Sequence, residues 1–437
     1  MIYIRSFLKM VVENHDRSIK NVCFFLYLIN YLTFCLFNVN QVTKYNVSIE
    51  LFLIIWGQIL IFGMLGLDII SVLSTLTVSM LAPSAIFFYL GIGNGDIALG
   101  LVPINLHADI VNLYAYIFWG VLFSYLLDIK KYEKLMSMEP LIFSNQSVTL
   151  FNNLVALAFS IVAFPTFPTL SSSAVNLDRF QMLLPGHAWN QLVIVALLFN
   201  LPKIKQKGVL FTYLIVSVWF LAHGERADIT GLVIGILIYV GMRNRLSVSK
   251  KIGLFFGGAL IFILLLIVGY ERIEHKLPNM AELFENIATF STLSDVSYLV
   301  NVSIDYVEKF GHTNGAILFS TIKSAIPLIT VDNSFGSFIE QVFPNPGGEP
   351  IISGPLIDFG ILGVSISAIV DALLFSFIVK RNSLLFRYEF LMLLCSIPRI
   401  VWYGRSFVFT SLIFFVPFMY FINTRIVKLS TISTIRK

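Results

Sequence analysis

The chain has 437 residues, 57% hydrophobic and 13% charged, with a formal net charge of +5. Soluble chains carry about 25% charged residues, so a soluble enzyme, a disordered hub, a coiled coil and a nucleic-acid module are all excluded. Twelve bilayer-spanning helices of about 20 residues would occupy about 240 residues, close to the apolar share. The composition therefore reads as all-α: a polytopic membrane bundle forming a single transmembrane domain over 1–437.

In chain order, apolar runs predict spans near 21–39, 51–68, 71–91, 109–128, 147–165, 187–201, 208–223, 229–242, 252–269, 355–379, 386–402 and 406–423. The first run continues into Phe-Asn-Val-Asn-Gln without the small-residue cleavage pattern of a signal peptide, so it is read as a retained anchor. Cys23, Cys35 and Cys395 all fall in apolar stretches and are expected as small buried residues, with neither a disulfide framework nor metal-ligand spacing. No repeat relates the two halves, which disfavours the inverted-repeat transporter folds.

With a cytoplasmic amino terminus, 21 of the 30 Lys and Arg residues fall in inner segments, from Arg5 to Lys437. The positive-inside rule then places both termini in the cytoplasm. The positive balance is a topogenic signal, with no nucleic acid implied.

Between the ninth and tenth spans lies a long outer segment, 270–354, with ten acidic and four basic residues. Residues 279–311 show helical apolar spacing, and Pro and Gly residues from Pro327 to Gly354 break the chain into turns before the membrane. A loop of this length is a functional element or a solvated lid without chemistry.

The nine remaining basic residues face outward, and five are arginines: Arg179, Arg226, Arg272, Arg399 and Arg405. Arginine presents a fork of donors suited to phosphate oxygens and is expensive near hydrocarbon. The plainer alternative is snorkelling to lipid headgroups. Arg226 stands in His223-Gly224-Glu225-Arg226-Ala227-Asp228, a short turn opening a span, where free helix N–H groups also favour an anion. Within it His223 shares a face with Arg226 if the turn is helical, and Asp228 is either a catalytic acid or the N-cap of the following helix. Arg399 and Arg405 flank Trp402 and Tyr403, which read either as an interfacial aromatic belt or as a stacking surface for sugar rings. Phosphate plus sugar is thus a coherent ligand. No soluble-enzyme motif, cofactor signature or metal constellation is present in the sequence, so arginine is expected to neutralise the bound anion.

The chain resembles the bacterial O-antigen repeat-unit polymerases (the Wzy class) at three places. These are Gly224-Glu225-Arg226-Ala227-Asp228, the run from Gly315 through Pro350-Ile351-Ile352-Ser353-Gly354-Pro355 to Phe359-Gly360-Ile361-Leu362-Gly363, and the arginine-bearing turn before the last span. The resemblance implies a glycosyltransferase of the bacterial inner membrane, GT-C-like in architecture, with its site facing the periplasm. Its donor and acceptor would be undecaprenyl-diphosphate-linked oligosaccharides. A chain-length regulator and a flippase are implied as partners, alongside membrane lipids. Under that reading the arginines stabilise the departing diphosphate, Glu225 is the expected base for the acceptor hydroxyl, and catalysis is metal-independent. An O-antigen ligase, a lipid-linked oligosaccharide flippase and a solute transporter, the last pointing to Asp371 near midspan, stand as alternatives.

Overall fold

A computed structural model describes residues 2–37, 44–66, 69–90, 106–127, 145–164, 187–223, 225–243, 267, 277–282, 292–326, 329, 334–341, 348–381 and 383–435. The described chain is all-helical, with one isolated bridge between Glu349 and Tyr403 in place of any strand. The helices are α1 (Ile2–Phe37), α2 (Lys44–Leu65), α3 (Ile69–Leu90), α4 (Leu106–Leu126), α5 (Gln146–Ala163), α6 (His187–Asn200), α7 (Lys207–Ala222) and α8 (Arg226–Arg243). Then come α9 (Thr292–Phe310), α10 (Ala316–Ser324), α11 (Phe335–Ile339), α12 (Ser353–Lys380), α13 (Leu384–Tyr403), α14 (Ser406–Thr410) and α15 (Val416–Ile435). Six described stretches are long and apolar enough to cross a bilayer: Ser18–Phe37, Ser48–Leu65, Ala108–Leu126, Gln146–Ala163, Ser353–Lys380 and Val408–Ser430. The protein is a helical membrane protein.

Eleven of the twelve predicted spans coincide with helices, and the ninth, 252–269, falls almost wholly outside the described residues. Polar residues fix several helix starts. Asn145 caps α5 by accepting from the Ser147 amide at 2.8 Å, and Ser383 caps α13.

Burial sorts the bundle into layers. In α13 every residue from Tyr388 to Val401 is buried, as is every one in α6 from Asn190 to Asn200. A helix apolar and buried on all sides is the centre of a bundle, so α6 and α13 form its axis. By contrast α1, α2, α7 and α15 expose Phe25, Leu32, Phe52, Phe211, Val218 and Phe421, side chains that a bilayer would cover. The cysteines divide the same way: Cys395 is buried in the axis, but Cys35 is exposed and Cys23 only partly covered. The expectation that all three are buried fails because α1 is a peripheral helix.

Described parts of residues 270–354 are packed into the bundle. Helix α9 packs against α3, α4 and α12, burying Val296, Leu299 and Val300, and Asn301 donates to Asp109 of α4 at 2.5 Å. Tyr298, Val302, Ile317, Phe335 and Ile357 close a second, smaller core. The predicted amphipathic helix is seen as α9, with residues 283–291 outside the described chain.

Helix α12 is broken. Phe359 (φ −143°, ψ 16°) and Gly360 (φ 64°, ψ −152°) leave helical geometry, and the conformation at 360 is one that glycine alone adopts cheaply. The carbonyls freed at Ile357 and Asp358 accept from the Thr313 amide at 3.1 Å and the Asn314 amide at 3.2 Å. Asp358 in turn caps α10, accepting from the amides of Ile317 at 3.0 Å and Leu318 at 2.7 Å. Backbone left unpaired near hydrocarbon costs several kcal/mol per group, and here Thr313 and Asn314 supply the partners.

Candidate active site

Two glycines bring the site together. Gly231 and Gly235 lie four apart on α8, a small-residue spacing that lets helix backbones approach closely. A Cβ at either would collide with Cys395 of α13. The close crossing of α8 and α13 sets Arg399, one turn beyond Cys395, against the first turn of α8.

Arg399 is 0% exposed. Its Nη1 lies 3.1 Å from Glu225 Oε2 and 3.1 Å from Asp228 Oδ2, and its guanidinium sits 5.0 Å above the Tyr403 ring. Asp228 also accepts from Gln191 Nε2 at 3.0 Å, and Gln191 Oε1 accepts from Ser411 at 3.2 Å. Ser411 opens one π-helical turn, Ser411–Phe415, between α14 and α15, a local irregularity frequent at functional sites. An unbroken polar chain thus links α6, α8, α13 and the last span. Asp228 is the third residue of α8, so it stands inside the helix and serves the arginine instead of the N-cap. Glu225 is 8% exposed and committed to Arg399.

The second arginine makes a separate group. Arg405 gives its Nε to both Asp371 oxygens at 3.0 Å and its Nη2 to Oδ2 at 2.7 Å, while Tyr116 of α4 donates to the same oxygen at 2.6 Å. Bidentate geometry of this kind is the strong form of the arginine–carboxylate pair. Arg405 Nη1 donates to the Ile351 carbonyl at 2.8 Å. These bonds use three of the five N–H groups a guanidinium carries, the side chain is 13% exposed, and two N–H groups are taken by no described residue. Asp371, singled out in the sequence as a transporter candidate, is here the fixed counter-charge of Arg405.

Trp402 and Tyr403 stack on one another with ring centroids 5.8 Å apart and planes 8° apart. The backbone before α12 runs alongside them: the Glu349 amide donates to the Trp402 carbonyl at 3.0 Å and the Ile351 amide to the Val401 carbonyl at 3.2 Å. Burial pushes the Glu349 carboxyl up to about 8, with Arg405 opposing the rise and Asp358 adding to it.

The residues picked from the sequence are thus distributed unevenly. Glu225, Asp228 and Arg399 meet in one cluster, and Arg405, Trp402 and Tyr403 gather at the same end of α13. His223 is the C-cap of α7, its Nδ1 2.7 Å from the Trp219 carbonyl, and its ring stacks on Phe164 at 4.5 Å. A carbonyl partner requires the proton on Nδ1, so that nitrogen is committed to the cap. Arg226 opens α8, its side chain lying outside what is described, as do Arg179 and Arg272 entirely. The sequence alone does not display Asp371 and Tyr116 as Arg405 partners, Gln191, or Glu349 as an individual site residue. A lone aspartate and a lone arginine in neighbouring spans do predict such a pair, since neither is stable alone in hydrocarbon. No family model matches the chain, and no curated protein or solved structure matches it either.

Proposed function

We propose that the protein is an oligosaccharide repeat-unit polymerase: a bundle of about twelve spans with GT-C-like architecture, both termini cytoplasmic and its site at the periplasmic face of a bacterial inner membrane. It transfers a growing glycan from undecaprenyl diphosphate to a hydroxyl of a newly presented lipid-linked repeat unit, extending the chain at its reducing end. The observation that carries this reading is the convergence at one end of α13 of an arginine with uncommitted donors, Arg405, and a stacked aromatic pair, Trp402–Tyr403. This combination suits a lipid diphosphate linked to a sugar. Fixed cations lower the barrier for a leaving group that gains charge as its bond breaks, and stacked rings hold a sugar face. Arg226, at the amino terminus of α8, is the second diphosphate contact in this scheme. Arg399 acts behind the surface, holding Glu225 and Asp228 in place.

Broken helices near bound charge are also a transporter feature, and α12 is broken. Its freed carbonyls are satisfied by residues 313 and 314, so the break is filled by protein, and the enzyme reading is preferred over the flippase and the solute transporter. A ligase would use similar groups on a different acceptor. The surface glycan of a deletion strain separates them. Caps of a single repeat unit support the polymerase, a bare core with accumulated polymer indicates the ligase, and loss of both indicates the flippase.

A further inference from the structure

The backbone at the outer end of α13 is organised around the Glu349 carboxyl. Residues 349–351 are pinned along Val401–Trp402 by two amide bonds and by the Arg405 bond to the Ile351 carbonyl. The carboxyl then lies between two bare backbone positions. A Cβ at Gly354 would stand 2.5 Å from its Oε1, and one at Gly404 (φ 77°) 2.9 Å from its Oε2. Real Cβ contacts essentially never fall this low, so any larger residue at 354 or 404 would displace the carboxyl. Arg405 and Asp358 are the charged groups that face it, with Asp371 and Tyr116 behind Arg405. Among the described residues no donor is committed to its oxygens. Glu225, by contrast, is held at 3.1 Å by Arg399.

Resting on the polymerase reading above, we propose that Glu349, and not Glu225, is the general base of the transfer. The Glu349 carboxylate takes the proton of an acceptor hydroxyl on a sugar held over Trp402 and Tyr403. As it does so, the acceptor oxygen bonds to the anomeric carbon of the donor. The anomeric C–O bond to the lipid diphosphate breaks, and its electron pair leaves on the phosphate oxygen beside Arg405. Charge and atoms balance without a co-reactant: one proton moves to Glu349 and the diphosphate departs as an anion. A base works best when its affinity for the proton is close to the operating pH, and a carboxyl at about 8 is a far stronger base than an ordinary one while still partly ionised at neutrality.

The test uses the full-length protein in proteoliposomes with lipid-linked repeat units, scored by single-turnover rate from pH 6 to 9. Wild-type turnover should rise with pH to a plateau above about 8. Glu349→Gln should lose about 100-fold or more, the typical contribution of a general base, and should lose the pH limb. Glu349→Asp should keep the limb at a reduced rate, and binding of the lipid-linked unit, measured directly, should stay within a few-fold in both variants, which also reports a folded protein. A Glu349→Gln rate near wild type, or a limb unchanged in that variant, overturns the assignment while leaving the polymerase reading intact. Loss of binding together with turnover would make Glu349 a structural residue and overturn it as well. A folded wild type that binds the lipid-linked unit and never elongates the glycan would overturn both.

Discussion

Arg399→Ala is the sharpest perturbation of the buried cluster. The side chain is wholly enclosed and lies 3.1 Å from each of two carboxylates, so its removal leaves Glu225 and Asp228 facing one another with no cation between them. Breaking a buried pair by deleting one partner costs about 3–5 kcal/mol, most of it the penalty for the charge left behind. The lost contact with the Tyr403 ring at 5.0 Å adds roughly 1–2 kcal/mol for a desolvated cation–π pair. The sign of the pH response follows from the same geometry. Burial raises the proton affinity of Asp228 and Arg399 opposes that rise. Without the arginine the folded state therefore binds this proton more tightly than the unfolded one, and the variant recovers stability as pH falls and loses it as pH rises. Thermal unfolding in detergent, followed by tryptophan fluorescence at pH 5 and pH 7.5, should show a large deficit for Arg399→Ala that narrows at the lower pH. The triple variant Arg399→Met, Glu225→Gln, Asp228→Asn, which removes all three charges together, should melt within a few degrees of wild type. An Arg399→Ala protein as stable as wild type at pH 7.5, or a deficit that widens toward pH 5, would refute the charge-pairing argument.

Other outcomes follow from the same frame. Phosphatase fusions should be active at Asn333 and inactive at Lys437, because 21 of 30 basic residues fall on the inner side in the proposed topology; activity at Lys437 would remove that topology. Arg405→Lys should reduce glycan elongation by roughly 10–100-fold, since lysine cannot fork across Asp371 and lost hydrogen bonds to charged groups cost about 1.5–3 kcal/mol. In whole cells, Arg226→Ala should abolish long polymer while protein level and single-repeat caps persist, and Arg226→Lys should rescue poorly. Gly231→Leu should abolish both stability and activity, because a Cβ there collides with the Cys395 backbone and overpacking alone costs about 1–3 kcal/mol.

Helix positions were largely legible in the sequence, because a span announces itself by length and apolarity. Even the short α6, an axis of the bundle, shows in the apolar run 187–201, which begins at the observed His187 and ends one residue past Asn200. The break at Phe359–Gly360 was not, since Ile361 to Val364 continue the apolar run and hydropathy is blind to φ. Nor did the sequence reveal that α1 reaches back to Ile2. At the site, residue types were legible and pairings were not. Arginines near span ends stand out by type and place, yet which acids neutralise them depends on helix neighbours 174 positions apart for Arg399 and Glu225. The Gly231–Gly235 spacing was the available signal for that contact. In the sequence Glu349 is one of ten acids in 270–354; what distinguishes it is a cradle of Gly354 and Gly404 that no linear spacing displays.

The claim that this chain is itself the polymerase is tested most directly by supplying purified protein in proteoliposomes with a single synthetic undecaprenyl-diphosphate-linked repeat unit and excess EDTA, then resolving the lipid-linked products by size. Arginine-centred stabilisation of the departing diphosphate predicts a ladder of products growing by one repeat unit, with free undecaprenyl diphosphate released in step. A ladder that appears only when divalent metal is restored would contradict the arginine-centred mechanism, and unelongated substrate under all conditions would contradict the polymerase assignment itself.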